Sequence, residues 1–581
     1  MCATPYLWLL RCCTFMLGFA LIFWSGLTNV SPTQAGGIVG NGTPQSCTSQ
    51  ALANAMSGGG LVTFNCGAAP AIIIITTPGG LTVGGGESVI IDGANKITLS
   101  GANNTRIFYV FSAGNFLGNL TLQNITLSNG TVGGSEIGGC ILNDGGVLNL
   151  YNTIVEKCYS GLDGGAIVNN TAGRATLTSS TIRYNSANRT CGGICDFGQY
   201  LILTDTLVYS NTAITLDVGG VGSAGVVTIT NSRIFSNTAN LDGGGLYNNV
   251  RMVIQNSTLL GNRSLNGVGG SIYSDGVLEL SSATLANSRG DCGNTIHNAA
   301  SGSATVIGSV FAQNRTTFGP CSGFGGAIYS EGTLNVANSS FDDNDGINGG
   351  GGIFAKGPTT IADSTFARNS ATYGGALDVV APGAVTVDRV TFMNNYSDHG
   401  GGVGMSGGTL TMTNVTFSGN SGGFGGGIWL SPVGAATVTL RHVTLEGNSA
   451  FQGGGIWKNG GTINLKNTIV SHSSNGNCNG TVTSLGYNLS SDNSCAAYFN
   501  QPSDWNSTDP LLLPLANNGG ATQTHMLFPP SQAIDNGQCI GGITTDQRGV
   551  ARLAGLACEI GAVEYVPGAD TGYLFLPLIM R

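Results

Sequence analysis

A phrase of alternating apolar and polar residues recurs along most of this chain at intervals of about 26 residues. Residues 252–259, 410–417 and 438–445 are three of about fourteen copies. Alternation with a period of two is typical of a strand with one buried face, and no copy has the apolar spacing of a helix. The apolar residue that ends the phrase is found at Leu127, Val155, Ile182, Val208, Ile234, Leu259, Leu285, Phe311, Phe341, Phe366, Phe392, Phe417, Leu445 and Val470.

The repeat predicts an all-β fold, a single-stranded right-handed parallel β-helix in which each coil of three short strands stacks on the next. Composition supports this prediction, because 95 glycines and a charged fraction of 9% suit tight turns and disfavour helices. Residues 61–116 are expected to form irregular coils. Residues 49–57 are expected to form a short amphipathic helix that covers the open N-terminal end of the core.

The chain divides into five segments on this interpretation. An apolar run follows Arg11 and leads to the small-residue cleavage site Thr33-Gln34-Ala35, which indicates a signal peptide. A membrane anchor is the alternative, because the run approaches the length of a spanning helix. The segments are a signal peptide (1–35), an N-terminal cap with irregular coils (36–118), regular β-helix repeats (119–480), an irregular C-terminal domain (481–566) and a hydrophobic tail (567–581).

Cysteine usage also favours export. Fifteen cysteines less Cys2, Cys12 and Cys13 of the leader leave twelve, and these fall into neighbouring couples. An even number of locally paired cysteines is typical of disulfides in an oxidising compartment. A zinc site is the alternative, but no CxxC spacing occurs; the pairing itself stays open. The couples are Cys47 with Cys66, Cys140 with Cys158, Cys191 with Cys195, Cys292 with Cys321, Cys478 with Cys495 and Cys539 with Cys558.

An asparagine follows the closing apolar residue by three positions in most coils. Asparagine tolerates the left-handed turn conformation, and stacked amides hydrogen-bond from one coil to the next. We therefore predict a structural ladder rather than a row of glycosylation sites. The ladder residues are Asn185, Asn211, Asn237, Asn262, Asn314, Asn344, Asn369, Asn395, Asn420 and Asn448.

Two resemblances extend this interpretation. The glycine runs paired with phrases such as Phe341-Asp342-Asp343-Asn344 resemble the repeats of chlamydial polymorphic outer-membrane proteins, which implies a surface adhesin. Motifs including residues 485–489, 517–525, 545–549 and 559–564 resemble the choice-of-anchor Q domain of bacterial surface proteins. That resemblance implies delivery to the cell surface and assigns no catalytic residue.

Enzymatic chemistry on a β-helix would need paired acids or a Ca²⁺ site, with carboxylates at equivalent positions of adjacent coils. The residues before the glycine runs form no acidic column, so we predict no catalytic residue, no metal site and no cofactor. The net charge of −9 and the absence of a basic run argue against nucleic acid as a partner. The residues tested are Asp163, Asp242, Phe324, Asn348, Tyr373, His399, Phe424 and Gln452.

A column of aromatic residues is the best candidate site. Each ring follows the aliphatic residue of a glycine run; if that residue points inward, the ring points outward. The column is interrupted at His297, Asp378 and Gly404. Exposed rings bind sugars and anchor partners, whereas the alternative is that the rings stack and shield a surface strand. The candidate ligand-binding residues are Tyr247, Tyr273, Tyr329, Phe354, Trp429 and Trp457.

Taken together, these patterns favour a secreted or cell-surface scaffold that is adhesive or glycan-binding. Its expected partner is a glycan or another cell-surface component, and the mature chain is expected to have no transmembrane span. A polysaccharide lyase, hydrolase or epimerase on the same fold is the alternative, as is a purely structural surface protein. Enzymatic activity is less favoured than binding, and the sequence leaves the ligand and the oligomeric state open.

Overall fold

The computed structural model describes residues 36–290, 295–316 and 323–566. The segments assigned to a signal peptide and a hydrophobic tail lie outside these residues. The described chain is a parallel β-helix of about 17 turns with 2% helix, so the predicted fold class is confirmed.

Each regular coil contributes strands to three faces, and one coil illustrates the pattern. Val226–Thr230 and Arg233–Phe235 lie on face 1, Thr238–Ala239 on face 3 and Leu246–Asn248 on face 2. Each strand pairs in parallel with the equivalent strand of the next coil, as Val227 pairs with Met252. The apolar positions of the alternating phrase are therefore carried into one column inside the rod.

Face 1 is built from the alternating phrases. Its strands are Ile38–Val39, Gly60–Phe64, Ala71–Ile74, Ser88–Ser100, Asn119–Ser128, Val147–Tyr151, Ile154–Glu156, Arg174–Thr178, Thr181–Arg183, Tyr200–Thr204, Leu207–Tyr209, Val226–Thr230, Arg233–Phe235, Arg251–Gln255, Thr258–Leu260, Val277–Ser281, Thr284–Ala286, Ser303–Ile307, Val310–Ala312, Thr333–Ala337, Ser340–Asp342, Thr359–Ala362, Thr365–Ala367, Ala384–Asp388, Thr391–Met393, Thr409–Ser418, Thr437–Glu446, Thr462–Lys466, Ile469–Ser471, Thr483–Ser484 and Leu489–Ser490. The face thus continues beyond residue 480, where the regular repeats were expected to end.

Faces 2 and 3 flank the glycine runs, with face 3 before each run and face 2 after it. Face 2 consists of Leu81–Val83, Phe108–Ala113, Phe116–Leu117, Ile141–Asp144, Ile167–Asn170, Ile194–Asp196, Val221–Ser223, Leu246–Asn248, Ile272–Ser274, Ile296–Asn298, Ile328–Ser330, Ile353–Ala355, Leu377–Val379, Val403–Met405, Ile428–Leu430, Ile456–Lys458 and Cys478–Asn479. Face 3 consists of Thr131–Val132, Tyr159–Ser160, Ser186–Ala187, Thr212–Ala213, Thr238–Ala239, Arg263–Ser264, Arg289–Gly290, Arg315–Thr316, Asp345–Gly349, Ser370–Tyr373, Tyr396–His399, Ser421–Phe424 and Ser449–Gln452.

The predicted N-terminal helix is present at Ser49–Met56, after a 3-10 turn at Pro44–Ser46. Thr48 caps the helix, because its side-chain oxygen accepts a hydrogen bond from the Ala51 N–H at 3.1 Å. Leu52 and Met56 are buried in the same core cluster as the first strands of the rod. The helix therefore covers apolar surface that the first coil would otherwise expose.

The asparagine ladder is confirmed. Asn369 donates from Nδ2 to Asn395 Oδ1 at 3.0 Å and to the Phe341 carbonyl at 2.9 Å, and its own Oδ1 accepts from Asn344 Nδ2 at 2.9 Å. The side chain is fully buried, so each amide is satisfied only by the coils on either side. Ser288 replaces asparagine at the one coil between Asn262 and Asn314.

Disulfides close five of the six predicted couples. The bonds join Cys47 to Cys66, Cys140 to Cys158, Cys191 to Cys195, Cys478 to Cys495 and Cys539 to Cys558. They span 4 to 19 residues of sequence and therefore link parts of the chain that are close in sequence rather than distant coils.

The sixth predicted couple, Cys292 with Cys321, is not among the disulfides that the structure describes. Cys292 falls in residues 291–294 and Cys321 falls in residues 317–322, and both segments lie outside the described residues. A bond between Cys292 and Cys321 is therefore not confirmed and stays a prediction.

The C-terminal segment packs along face 1 through buried polar contacts. Gln547 Nε2 donates to Thr391 Oγ1 at 2.9 Å, Thr416 Oγ1 donates to Gln547 Oε1 at 2.6 Å, and Arg552 Nη2 donates to Asn414 Oδ1 at 2.7 Å. Strands are short in this segment, which is held mainly by isolated bridges and turns. Within the described chain, the helices are all too short or too polar to cross a membrane.

Candidate functional site

Face 2 carries a continuous column of stacked rings in its middle section. Tyr247, Tyr273, His297, Tyr329 and Phe354 occupy the same register position in successive coils. Their ring centroids are 4.7, 5.2, 4.9 and 5.1 Å apart, with interplanar angles of 7 to 21°. Each ring therefore stacks on the next and has little of its flat surface left for a ligand.

The prediction that all six aromatic candidates share a solvent-accessible face is wrong for two of them. Phe354 and Trp429 are only 6% and 5% exposed, whereas Tyr247, Tyr329 and Trp457 are partly exposed. Strand alternation does direct the rings away from the rod interior. Rings from face 3 then cover them, which the alternation of a single strand does not reveal.

The column is interrupted just beyond Phe354. The next two coils place Asp378 and Gly404 at the ring position, and rings return with Trp429 and Trp457. A carboxyl group is much smaller than a ring and glycine has no side chain, so a gap opens between Phe354 and Trp429. The two indoles are stacked with centroids 6.4 Å apart.

A second row of rings, from the ends of face 3 strands, forms the opposite wall of this gap. Tyr373 stacks on His399 at 4.9 Å and His399 stacks on Phe424 at 5.3 Å. The rows meet where His399 contacts Trp429 edge-on, with centroids 4.9 Å apart. Nearer the N-terminus, Phe324 meets Phe354 at 4.6 Å and closes that end.

The gap between the two rows is a pocket of about 570 Å³. This volume lies within the range of small-molecule sites in proteins, which is about 300–1,000 Å³. One side of its rim is a turn after Trp429, in which Val433 is 75% exposed. The pocket is lined by Phe324, Phe354, Tyr373, Asp378, Val380, His399, Ser406, Trp429, Ser431, Pro432, Val433, Trp457 and Asn459.

Asp378 is the only carboxyl group among these lining residues. Its residue is 4% exposed, and burial raises the pKa of its carboxyl to about 7. A hydrogen bond with the Val379 backbone opposes this rise but does not compensate for the loss of water. A β-carbon placed on Gly404 would lie 3.2 Å from Asp378 Oδ1 and only 2.7 Å from the Gly374 backbone nitrogen, so only glycine fits beside the carboxyl group here.

Two nitrogen atoms of the pocket rings are buried without a hydrogen-bond partner in the described chain. They are Nδ1 of His399 and Nε1 of Trp429. Burial also lowers the pKa of His399, which favours the neutral imidazole. Unsatisfied buried polar atoms are rare in folded proteins, so these two nitrogens are available to a hydrogen-bonding ligand.

Sequence reasoning identified Phe354, Trp429 and Trp457 in this pocket but missed Asp378, Tyr373 and His399. The positions before the glycine runs hold Tyr373, His399 and Phe424 in succession, an aromatic row that a test for acidic residues does not reveal. In the sequence, Asp378 is apparent only as an interruption of the ring column. A search for aromatic residues on both sides of each glycine run would have found the two walls.

Chemically, the pocket offers flat apolar surfaces, one carboxyl group and the Ser406 and Ser431 side chains. In the described chain there is no cluster of three or more His, Cys, Asp or Glu residues that could hold a metal ion. No protein-family model matches the chain, and the searches of curated proteins and of solved structures likewise found no match.

Proposed function

We propose that the protein is an exported cell-surface scaffold that binds a glycan in the pocket between Asp378 and Trp457. The single observation that carries this proposal is the pair of aromatic walls around the gap in the ring column. Sugar rings present flat patches of C–H groups that pack on aromatic faces, with hydroxyl groups left for polar partners. The pocket offers both kinds of surface.

Export is supported by the five disulfides, which are consistent with an extracellular protein. The leader-like sequence over residues 1–35 supports it further. The resemblance to choice-of-anchor Q domains supports delivery to a bacterial surface. In this proposal, the C-terminal segment has a structural task as well, since Gln547 of motif 545–549 and the nearby Arg552 attach the segment to the rod.

A polysaccharide-active enzyme is the second candidate, and the raised pKa of Asp378 is the observation that favours it. A carboxyl group with a pKa near 7 is suited to donate a proton to a glycosidic oxygen. Glycoside hydrolysis ordinarily needs a second carboxylate, and the lining residues supply only one. Binding is therefore the function that the geometry supports better.

A glycan array probed with the mature protein and with Trp457→Ala tests the proposal. Trp457 is partly exposed and lines the pocket, so its removal is expected to weaken the signals of the bound glycans and leave the fold intact. Bound glycans are then incubated with the protein, and new reducing ends are measured to detect cleavage. An array pattern that is identical for both proteins would refute the pocket as the binding site.

A further inference from the structure

We infer that the pocket selects glycans that carry a positively charged amine, with Asp378 as the group that binds the ammonium. This inference rests on the proposed glycan-binding function and adds a substrate class to it. Its starting point is the composition of the pocket. One acid lies among several rings, and lysine and arginine are missing from the described residues that line the cavity.

The rings themselves favour a cation. The faces of tryptophan, tyrosine and phenylalanine carry partial negative charge, and they attract ammonium groups within about 6 Å of the ring centre. Phe354, Tyr373, Trp429 and Trp457 line the pocket from two faces of the rod. A ligand amine in the gap would be surrounded by these faces, whereas an anionic sugar would be repelled by them.

The position of Asp378 provides the specific contact. The residue is more than nine-tenths buried, yet it lines the cavity between the two rows of rings. The charged carboxylate is disfavoured in such surroundings unless a cation accompanies it. An ammonium group in the gap would supply that cation and form a charge-assisted hydrogen bond.

The nearby basic side chains are committed elsewhere. Lys356 Nζ binds Glu331 Oε1 at 2.7 Å, and Lys458 Nζ, next to Trp457 in the chain, donates to Thr481 Oγ1 at 3.1 Å. The other titratable groups that line the pocket are His399 and Tyr373. Because burial favours the neutral form of His399, this imidazole does not compete with a ligand amine for the carboxylate.

The test uses two chito-oligosaccharides of equal length, one with free amines and one fully N-acetylated. Their sugar rings are the same, so the pair isolates the amine. Affinities for the whole mature protein are measured by calorimetry at slightly acidic pH and constant ionic strength. The amine form is expected to bind at least tenfold more tightly than the acetylated form, and this comparison needs no variant.

Two carboxylate variants then locate the contact. Asp378→Asn keeps the shape of the side chain and is expected to remove the preference for the amine. Asp398→Asn is the matched control, since Asp398 is exposed in an adjoining coil and does not line the pocket. It is expected to leave both affinities within about twofold, because an exposed charge is screened by solvent.

The outcomes separate this inference from the proposed function. Equal binding of both oligosaccharides, or a preference for the acetylated form, would overturn amine selection and leave glycan binding in place. An amine preference that survives Asp378→Asn in a folded protein would overturn the role of Asp378. If neither oligosaccharide binds although other glycans bind in a Trp457-dependent manner, amine selection is again wrong; if no glycan binds, the proposed function fails with it.

Discussion

The ring column of face 2 has two parts that differ in what their side chains contact. From Tyr247 to Phe354 each ring stacks on the ring of the next coil, 4.7 to 5.2 Å away. From Asp378 to Trp457 the column is interrupted, and the gap encloses a pocket of about 570 Å³. In a solenoid, strict repetition places equivalent side chains of neighbouring coils in contact, so that their hydrogen bonds and ring stacking are satisfied within the rod. A binding site arises where one or two coils depart from the repeat.

The same contrast separates Asn369 from Asp378. Both side chains are polar and buried, but Asn369 has an equivalent amide on either side, whereas Asp378 lies between Phe354 and Gly404. Asn369 is a structural group because the neighbouring coils carry the same amide. Isolation leaves the second with a raised pKa and a cavity beside it. The predictions below test this contrast, from the largest expected effect to the smallest.

The isolation of Asp378 predicts a pH-dependent loss of stability. A carboxyl whose pKa rises on folding, from 3.8 to about 7, stabilises the fold most when it is protonated. Its contribution is full below about pH 4 and is lost as the pH rises to 7, by up to about 4 kcal/mol, because one pKa unit corresponds to about 1.4 kcal/mol.

Denaturant unfolding of the wild-type protein and of Asp378→Asn between pH 4 and 8 measures this effect. The difference between the two free energies of unfolding isolates Asp378, because His442 and Glu559, which are also buried, titrate in both proteins. The wild-type protein is expected to lose stability relative to the variant over the window from pH 4 to 7. Parallel curves would show that the carboxyl group is not isolated in the folded state.

Asn369→Ala tests the repeated part of the contrast. Removal of the amide leaves partners unsatisfied in the coils on both sides, so the free energy of unfolding is expected to fall by about 1–3 kcal/mol. Asn249→Ala is the control: Asn249 is exposed, and this substitution should have little effect. Equal melting curves for the two variants would contradict the ladder as a source of stability.

Asp378→Phe is expected to restore a ring at the position where the ring column of face 2 is interrupted. The new ring would continue the stack from Phe354, extend into the pocket and replace a buried carboxyl group with apolar surface. We expect stability at neutral pH to rise by about 1–2 kcal/mol, and glycan binding to be lost because the pocket is filled. A destabilised variant, measured by thermal unfolding, would mean that the gap cannot accept a ring.

The sequence was sufficient to predict the features that repeat. Period-two phrases, the asparagine column and the cysteine couples other than Cys292 with Cys321 each depend on local spacing, which stacking converts directly into contacts. The pocket depends on two departures, Asp378 and Gly404, and on rings from the ends of different strands. The distance between the two rows of rings depends on the turn that each glycine run makes, and the spacing of residues in the sequence does not predict that distance.

The burial of each ring is a second property that the spacing of residues in the sequence does not predict. Trp429 follows an inward isoleucine and was expected to be exposed, but Tyr373 and His399 pack against its ring. A substitution at Trp429 would therefore disturb the fold as well as the pocket. Trp457, which remains partly exposed, is the better position at which to test binding.

The most direct test of the central claim compares Trp457→Ala with Tyr273→Ala in calorimetric titrations with the glycan that binds best on the array. Both residues are partly exposed and occupy the same register position, one beside the gap and one in the unbroken stack. Trp457→Ala is expected to weaken binding by roughly 1–3 kcal/mol, by analogy with a base stacked on a ring, and Tyr273→Ala to leave it unchanged. Equal losses from the two variants, or a loss from Tyr273→Ala alone, would contradict the account.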